Sequence, residues 1–414
     1  MKDNHIQHVA NKLRAIANHA LSPQGDVPRG VWIDVQNEVS YSMSIEYQEE
    51  FNDLVRQFLK NSDWSNKFSE NFISKRLRTI FSSLIKKEAI NIENALADFI
   101  KELESYKTAE TVYLHVIGIS LDRDLKVGNI TLLNASAENL KDKLAGKLLE
   151  QEKSHEKKGP FSGMFEKTMK EKFLGQTLSE FKVVAEPERA FERAKEETRR
   201  ALEILRFASK SIYPMSEDIR IGLEDERRYS SRPAFILSDH QTTFKRDSEG
   251  SPNLFEINSE ARQTMEKIGV LTLSDILQKS RATTFEEALL RAVHWFSSAL
   301  LQPEFENAFL YMIVALETLF TQKSGDPIAN SIAEGVALIL SEELERRKKI
   351  KKTVKDYYRK RSGISHGGKK SIMAADYFNL LDIARKIIME LTKRANGFRS
   401  QESFLEWLED LKFS

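Results

Sequence analysis

Apolar positions recur every three to four residues over most of this chain, and that spacing predicts helices. From about residue 45 to 105, Phe51, Leu54, Val55, Phe58 and Leu59 form one stripe, and Ile73, Leu77, Ile80, Phe81, Leu84 and Ile85 form another. Residues 1–44, with Pro23, Gly25, Pro28 and Gly30, read as a short helix followed by irregular or extended chain. The period then shortens to two. Val112, Leu114 and Val116 alternate along a strand that Gly118 closes, and Val127 to Leu133 reads as a second strand. Residues 138–182 are rich in lysine and glutamate around Gly159-Pro160 and Gly163, the pattern of a solvated helix and a mobile loop. A helix from about Pro187 carries Ala190, Ala194, Ala201, Leu202 and Leu205 on one side. Short strand-like pieces follow around Ile219–Leu223, Pro233–Leu237 and Leu254–Ile257.

From Phe285 the pattern is nearly continuous helix. One stripe holds Leu289, Val293, Phe296 and Leu300; after a break at Pro303 the next holds Phe309, Met312, Ile313, Leu316, Leu319 and Phe320. A third runs through Ile332, Val336 and Ile339. A basic helix spans Glu345 to about Ser365, a fifth carries Phe378, Leu381, Ile387, Ile388 and Leu391, and Phe404, Trp407, Leu408 and Leu411 mark an amphipathic tail. Broad apolar stripes joined by short breaks describe an antiparallel helical bundle. The expected class is α+β, mainly α: a mixed helical and strand region over 1–280 (with a sub-boundary near 137–185), a bundle over 281–396, and a tail helix over 397–414.

Composition narrows the chemistry. The 414 residues contain no cysteine, which excludes disulfides, thiolate metal sites and cysteine nucleophiles and fits a reducing cytoplasm. A 41% hydrophobic fraction suffices for real cores, and no uncharged 18-residue run suggests a membrane span. Formal net charge is only +1, so affinity for a polyanion must come from a local patch. Ser341–Lys370 supplies one, with 12 Lys or Arg against 4 Asp or Glu. Within it stands Tyr358-x-x-Arg361-Ser362-x-Ile364-Ser365-His366-Gly367. A histidine that titrates near neutrality, beside a permanent guanidinium, is the minimal equipment for cutting a phosphodiester without a metal. Gly363-x4-Gly368-Lys369 resembles a phosphate loop only superficially, because Lys370 replaces the required Ser or Thr and a basic helix precedes it. His5, His8 and His19 lack the flanking ligands of a metal site, so neither metal nor cofactor is expected.

Three segments in order carry a family likeness: Leu290-Arg291-Ala292-Val293-His294-Trp295-Phe296, Ala315-Leu316-Glu317-Thr318-Leu319-Phe320, and the Tyr358–Gly367 motif. Residues 281–396 resemble the HEPN superfamily, within it the Apea-like branch; Val184-Ala185-Glu186 and the helix after it look like the region that often precedes such a domain. The resemblance implies a four- to five-helix bundle that dimerises and acts as a metal-independent endoribonuclease, in bacterial anti-phage defence or a toxin system. It maps the family's R-x(4–6)-H motif onto Arg361 and His366. Ser362 stands where the nucleases frequently carry Asn, Asp or His.

On this reading His366 deprotonates the 2′-OH and Arg361 steadies the phosphorane, leaving a 2′,3′-cyclic phosphate. Glu317, a carboxylate in an apolar helix, needs a partner such as Arg361. Tyr357 and Tyr358 offer faces on which bases stack, while Lys355, Arg359, Lys360, Lys369 and Lys370 are the expected RNA contacts. Residues five apart on a straight helix diverge by about 140°, so Arg361 and His366 converge only if Gly363 loosens the helix or two copies meet across a twofold axis. The homodimer is the favoured solution, with an inhibitory or trigger protein as a further partner. The alternative is a non-catalytic RNA- or nucleotide-binding, or dimerisation, module.

Overall fold

The computed structural model describes residues 3–20, 30–35, 39–86, 91–136, 173–214, 216, 219–223, 233–238, 241–246, 253–321, 328–365 and 372–413. The helix and loop expected over 138–182 lie outside them as far as residue 172, and the end of that stretch is corrected: Thr177–Val184 is a strand. The described chain divides into two compact units, one of residues 1–112 and 182–194, the other of 113–181 and 195–414. Architecture is mainly helical with a smaller β component. No described helix is long and apolar enough to cross a membrane.

The first unit opens with α1 (Asp3–His19) and an antiparallel hairpin of β1 (Gly30–Val35) and β2 (Val39–Ser44). Then come α2 (Ile45–Leu59), α3 (Ser62–Lys67), α4 (Glu70–Ile85) and α5 (Ile92–Ser105). Their boundaries follow from sequence: Ser44, Asn61, Ser69 and Asn91 each accept a hydrogen bond from an amide in the first turn of the helix they precede. The stripes named above face one core, in which Leu13, Phe51, Phe58, Phe68 and Phe81 are almost wholly buried. Each such side chain contributes about 2 kcal/mol when removed from water.

The second unit contains most of a sheet ordered β5-β6-β7-β3-β8, formed by β3 (Ala109–Ile117), β5 (Leu125–Val127), β6 (Ile130–Asn134), β7 (Thr177–Val184) and β8 (Gly222–Leu223). A short β4 (Ile119–Leu121) pairs in parallel with β11 (Phe255–Ile257), and β9 (Pro233–Ser238) with β10 (Gln241–Arg246) makes another hairpin. The single strand expected over Val127–Leu133 is two strands, because Gly128, with φ of +57°, turns the chain back after Val127. Gly118 separates β3 from β4 at φ of +80°, where an added Cβ would lie 1.8 Å from the Arg220 carbonyl oxygen.

A long helix, α6 (Pro187–Ile212), follows β7; α7 (Ser259–Lys267) and α8 (Val270–Gln278) precede the C-terminal helices. These are α9 (Thr284–Leu300), α10 (Phe305–Phe320), α11 (Ile328–Leu340), α12 (Leu344–Ser365), α13 (Ala374–Lys393) and α14 (Gln401–Asp410). The helices α9 to α13 pack on one another. A capping box of Thr283 and Glu286 starts α9, and α14 lays Phe404 against Phe285 and Phe320.

Candidate functional site

Every described residue of the motif lies near the C-terminal end of α12, and the helix settles how its side chains divide. Val354, Tyr357 and Tyr358 turn inward, whereas Arg359 and Ser362 are exposed. The helix runs unbroken through Gly363 to Ser365. His366, Lys369 and Lys370 lie outside the described residues.

Glu317, on the last turn of α10, is the meeting point. The Tyr358 hydroxyl donates to its Oε1 at 3.2 Å, and the Arg361 guanidinium approaches the same oxygen at 3.6 Å. Burial, followed by the neighbouring carboxylate, pushes the Tyr358 hydroxyl far above its ordinary range, so it stays a neutral donor. The Arg361 side chain keeps 40% of its surface exposed. A pair this accessible contributes about 1 kcal/mol or less. It orients the guanidinium more than it stabilises the fold, and leaves cationic surface for a ligand.

A matching arrangement flanks it. Lys360 bonds Asp376, at the start of α13, at 2.5 Å and lies 6.0 Å from the Tyr357 ring centre. The Phe309 ring meets Tyr357 edge-on, and burial raises the Tyr357 hydroxyl above its ordinary value. Both tyrosines are therefore structural, and the expectation that their faces stack bases is corrected. Tyr357 is 4% exposed and Tyr358 9%, too little for a base to reach. They point inward because their helical positions share the buried face with Val354.

The remaining expected contacts separate. Lys355 is half-buried, and Arg359, 74% exposed, pairs with Asp356 at 2.6 Å. Asp376, missed by sequence reasoning, follows the motif by fifteen positions beyond Arg361, and no local spacing signals its bond to Lys360. Lys348 and Lys352, which the sequence reading did not single out, stand seven residues before Lys355 and Arg359 on the same helix. His294 is half-exposed, and its Nδ1 lies 2.7 Å from Glu203 Oε1. No group of three or more His, Cys, Asp or Glu residues is placed to hold a metal among the described residues.

Comparison with protein-family models, curated proteins and solved structures finds no match to the chain.

Proposed function

We propose that the chain is a HEPN-type, metal-independent endoribonuclease that acts through Arg361 and His366, with residues 1–280 as a sensing, targeting or inhibitory region. The observation that carries this reading is the Tyr358–Glu317–Arg361 cluster. A buried tyrosine and a half-buried carboxylate hold one guanidinium in place, yet leave it open to solvent. Such a cation suits the charge that gathers on a pentacoordinate phosphate. His366, next in sequence after Ser365, takes the 2′-OH proton, and the leaving 5′-oxygen takes one in return. A second histidine from a twofold-related copy would meet that second need, which is why the reading includes a homodimer. Glu317 and Tyr358 are positioning residues for Arg361. Defence or toxin activity against cellular RNA follows from the same resemblance.

The test is total cellular RNA incubated with purified protein in EDTA. Discrete fragments ending in 2′,3′-cyclic phosphate are expected from the wild type. His366→Ala and Arg361→Ala should each slow cleavage by a factor on the order of 100 or more while the circular dichroism spectrum is unchanged. Glu317→Gln, which unties the guanidinium, should lower the rate less than Arg361→Ala. Cleavage that survives His366→Ala at the wild-type rate would remove the proposed mechanism. RNA bound but uncut by a wild-type dimer would favour the binding module instead.

A further inference from the structure

We infer that the outward face of α12 is a phosphate-binding track for single-stranded RNA, separate from the Arg361 cluster. This rests on the RNA reading above for the identity of the polyanion, but not on cleavage. Each helical residue turns by 100° and rises 1.5 Å, so Lys348, Lys352, Lys355, Arg359 and Ser362 fall within about 80° of arc along about 21 Å. Successive cations stand about 4.5–6 Å apart along the axis. Lys348 and Arg359 are 62% and 74% exposed, and Lys352 is exposed as well. Arg361 projects about 140° away from the middle of this row, toward Glu317. A strand lying on the row of one copy therefore does not reach that copy's own Arg361 directly.

The row differs from an ordinary solvated helix surface. On α6 seven basic residues are interleaved with five acidic ones, whereas α12 carries ten basic residues and only Glu345 and Asp356 as acids. Both acids bind within the row, Glu345 to Lys348 at 2.7 Å and Asp356 to Arg359 at 2.6 Å. Exposed pairs one turn apart on a helix are weak and exchange readily for a phosphate. Lys352 and Lys355 have no acidic partner among the described residues. In a chain with a net charge of only +1, a helix with eight more basic than acidic residues is a segregated field, even though Lys351, Lys360 and Arg361 pair with Glu334, Asp376 and Glu317 on neighbouring helices. No described aromatic side chain shares the row, so the contact is to the backbone and is indifferent to sequence.

The experiment measures binding of a fluorescent 2′-O-methyl oligouridylate, which lacks the attacking hydroxyl and stays intact, by full-length protein at several salt concentrations. Lys348→Gln, Lys352→Gln, Lys355→Gln and Arg359→Gln are combined in one variant, since glutamine keeps helix propensity at these outward positions. The wild type should bind with strong salt dependence. The variant should lower the slope of log K against log salt by about 3, because each phosphate contact to a single strand contributes about 0.7. Equal affinity and slope in both proteins would overturn the inference, as would stripe-dependent binding to phosphatidylserine vesicles with no RNA binding. Stripe-dependent RNA binding without cleavage would sink the nuclease reading alone. Cleavage with stripe-independent binding would sink this inference alone.

Discussion

Glu186 shows how much one side chain organises. Only 5% exposed, it accepts the Ser69 and Arg189 amides on one oxygen and the Glu188 amide on the other, while its own amide donates to the Lys67 carbonyl. It thereby caps α6 and fixes that helix start to the chain between α3 and α4. Glu186→Ala would strand buried donors, each costing about 1–3 kcal/mol, and should lower the denaturation midpoint clearly. Glu186→Gln keeps an acceptor and should cost less; equal losses from both variants would contradict this account. Residue-level legibility was uneven. The partner of Glu317 could be anticipated, because a carboxylate in an apolar helix demands one. The Lys360–Asp376 bond could not, since neither side chain looks out of place in its own segment.

At the scale of elements, the long helices were readable because their stripes match the period of the face they bury, from Phe51–Phe58 on α2 to Leu380–Leu391 on α13. Strand β7 was hidden for a physical reason. Two of its buried positions carry hydroxyls, Thr177 bonded to the Ile119 carbonyl and Ser179 to Thr198, so the inward face does not read as apolar. The short helices α7 and α8 bury too few side chains to print a period.

The pairing of α6 with α9 through Glu203 and His294 makes a pH-dependent contribution. The Glu203 hydrogen bond raises the imidazole above its usual 6.5, overcoming partial burial and the nearby Arg206. A raised folded value favours the protonated ring, so the pair stabilises the fold fully below pH 6.5 and loses that stabilisation as pH climbs through the raised value. Urea midpoints of wild type and His294→Gln should therefore differ most on the acid side and converge on the alkaline side. A difference that grew with pH would reverse the assignment.

For the whole molecule, periodicity marks a change of character near residue 281, yet the compact units divide the chain at 112/113, 181/182 and 194/195. Periodicity is local, whereas a unit is held by distant partners such as the five-stranded sheet, in which β7 joins β3 across the 59 positions 118–176. Charge segregation was legible in the count of basic residues, and the helix expected over Glu345–Ser365 already sets which of them point together. The field of α12 then makes salt the natural variable for any assay of this protein.

The threefold crossing of the chain between its units has a consequence for dissection. In covalent terms each unit is an insertion in the other, so no single stop codon isolates the first. Residues 1–112 expressed alone would keep the apolar faces of α1 to α5 but lack Glu186, Ala185 and Arg189, whose bonds to Ser69, Tyr106 and Ser65 close that unit. Such a fragment should melt broadly in calorimetry, and a synthetic peptide covering 182–194 should sharpen and raise the transition. A sharp, peptide-independent transition would show the first unit to be self-sufficient. Otherwise the first unit can be disrupted by mutation but not cut away cleanly by truncation.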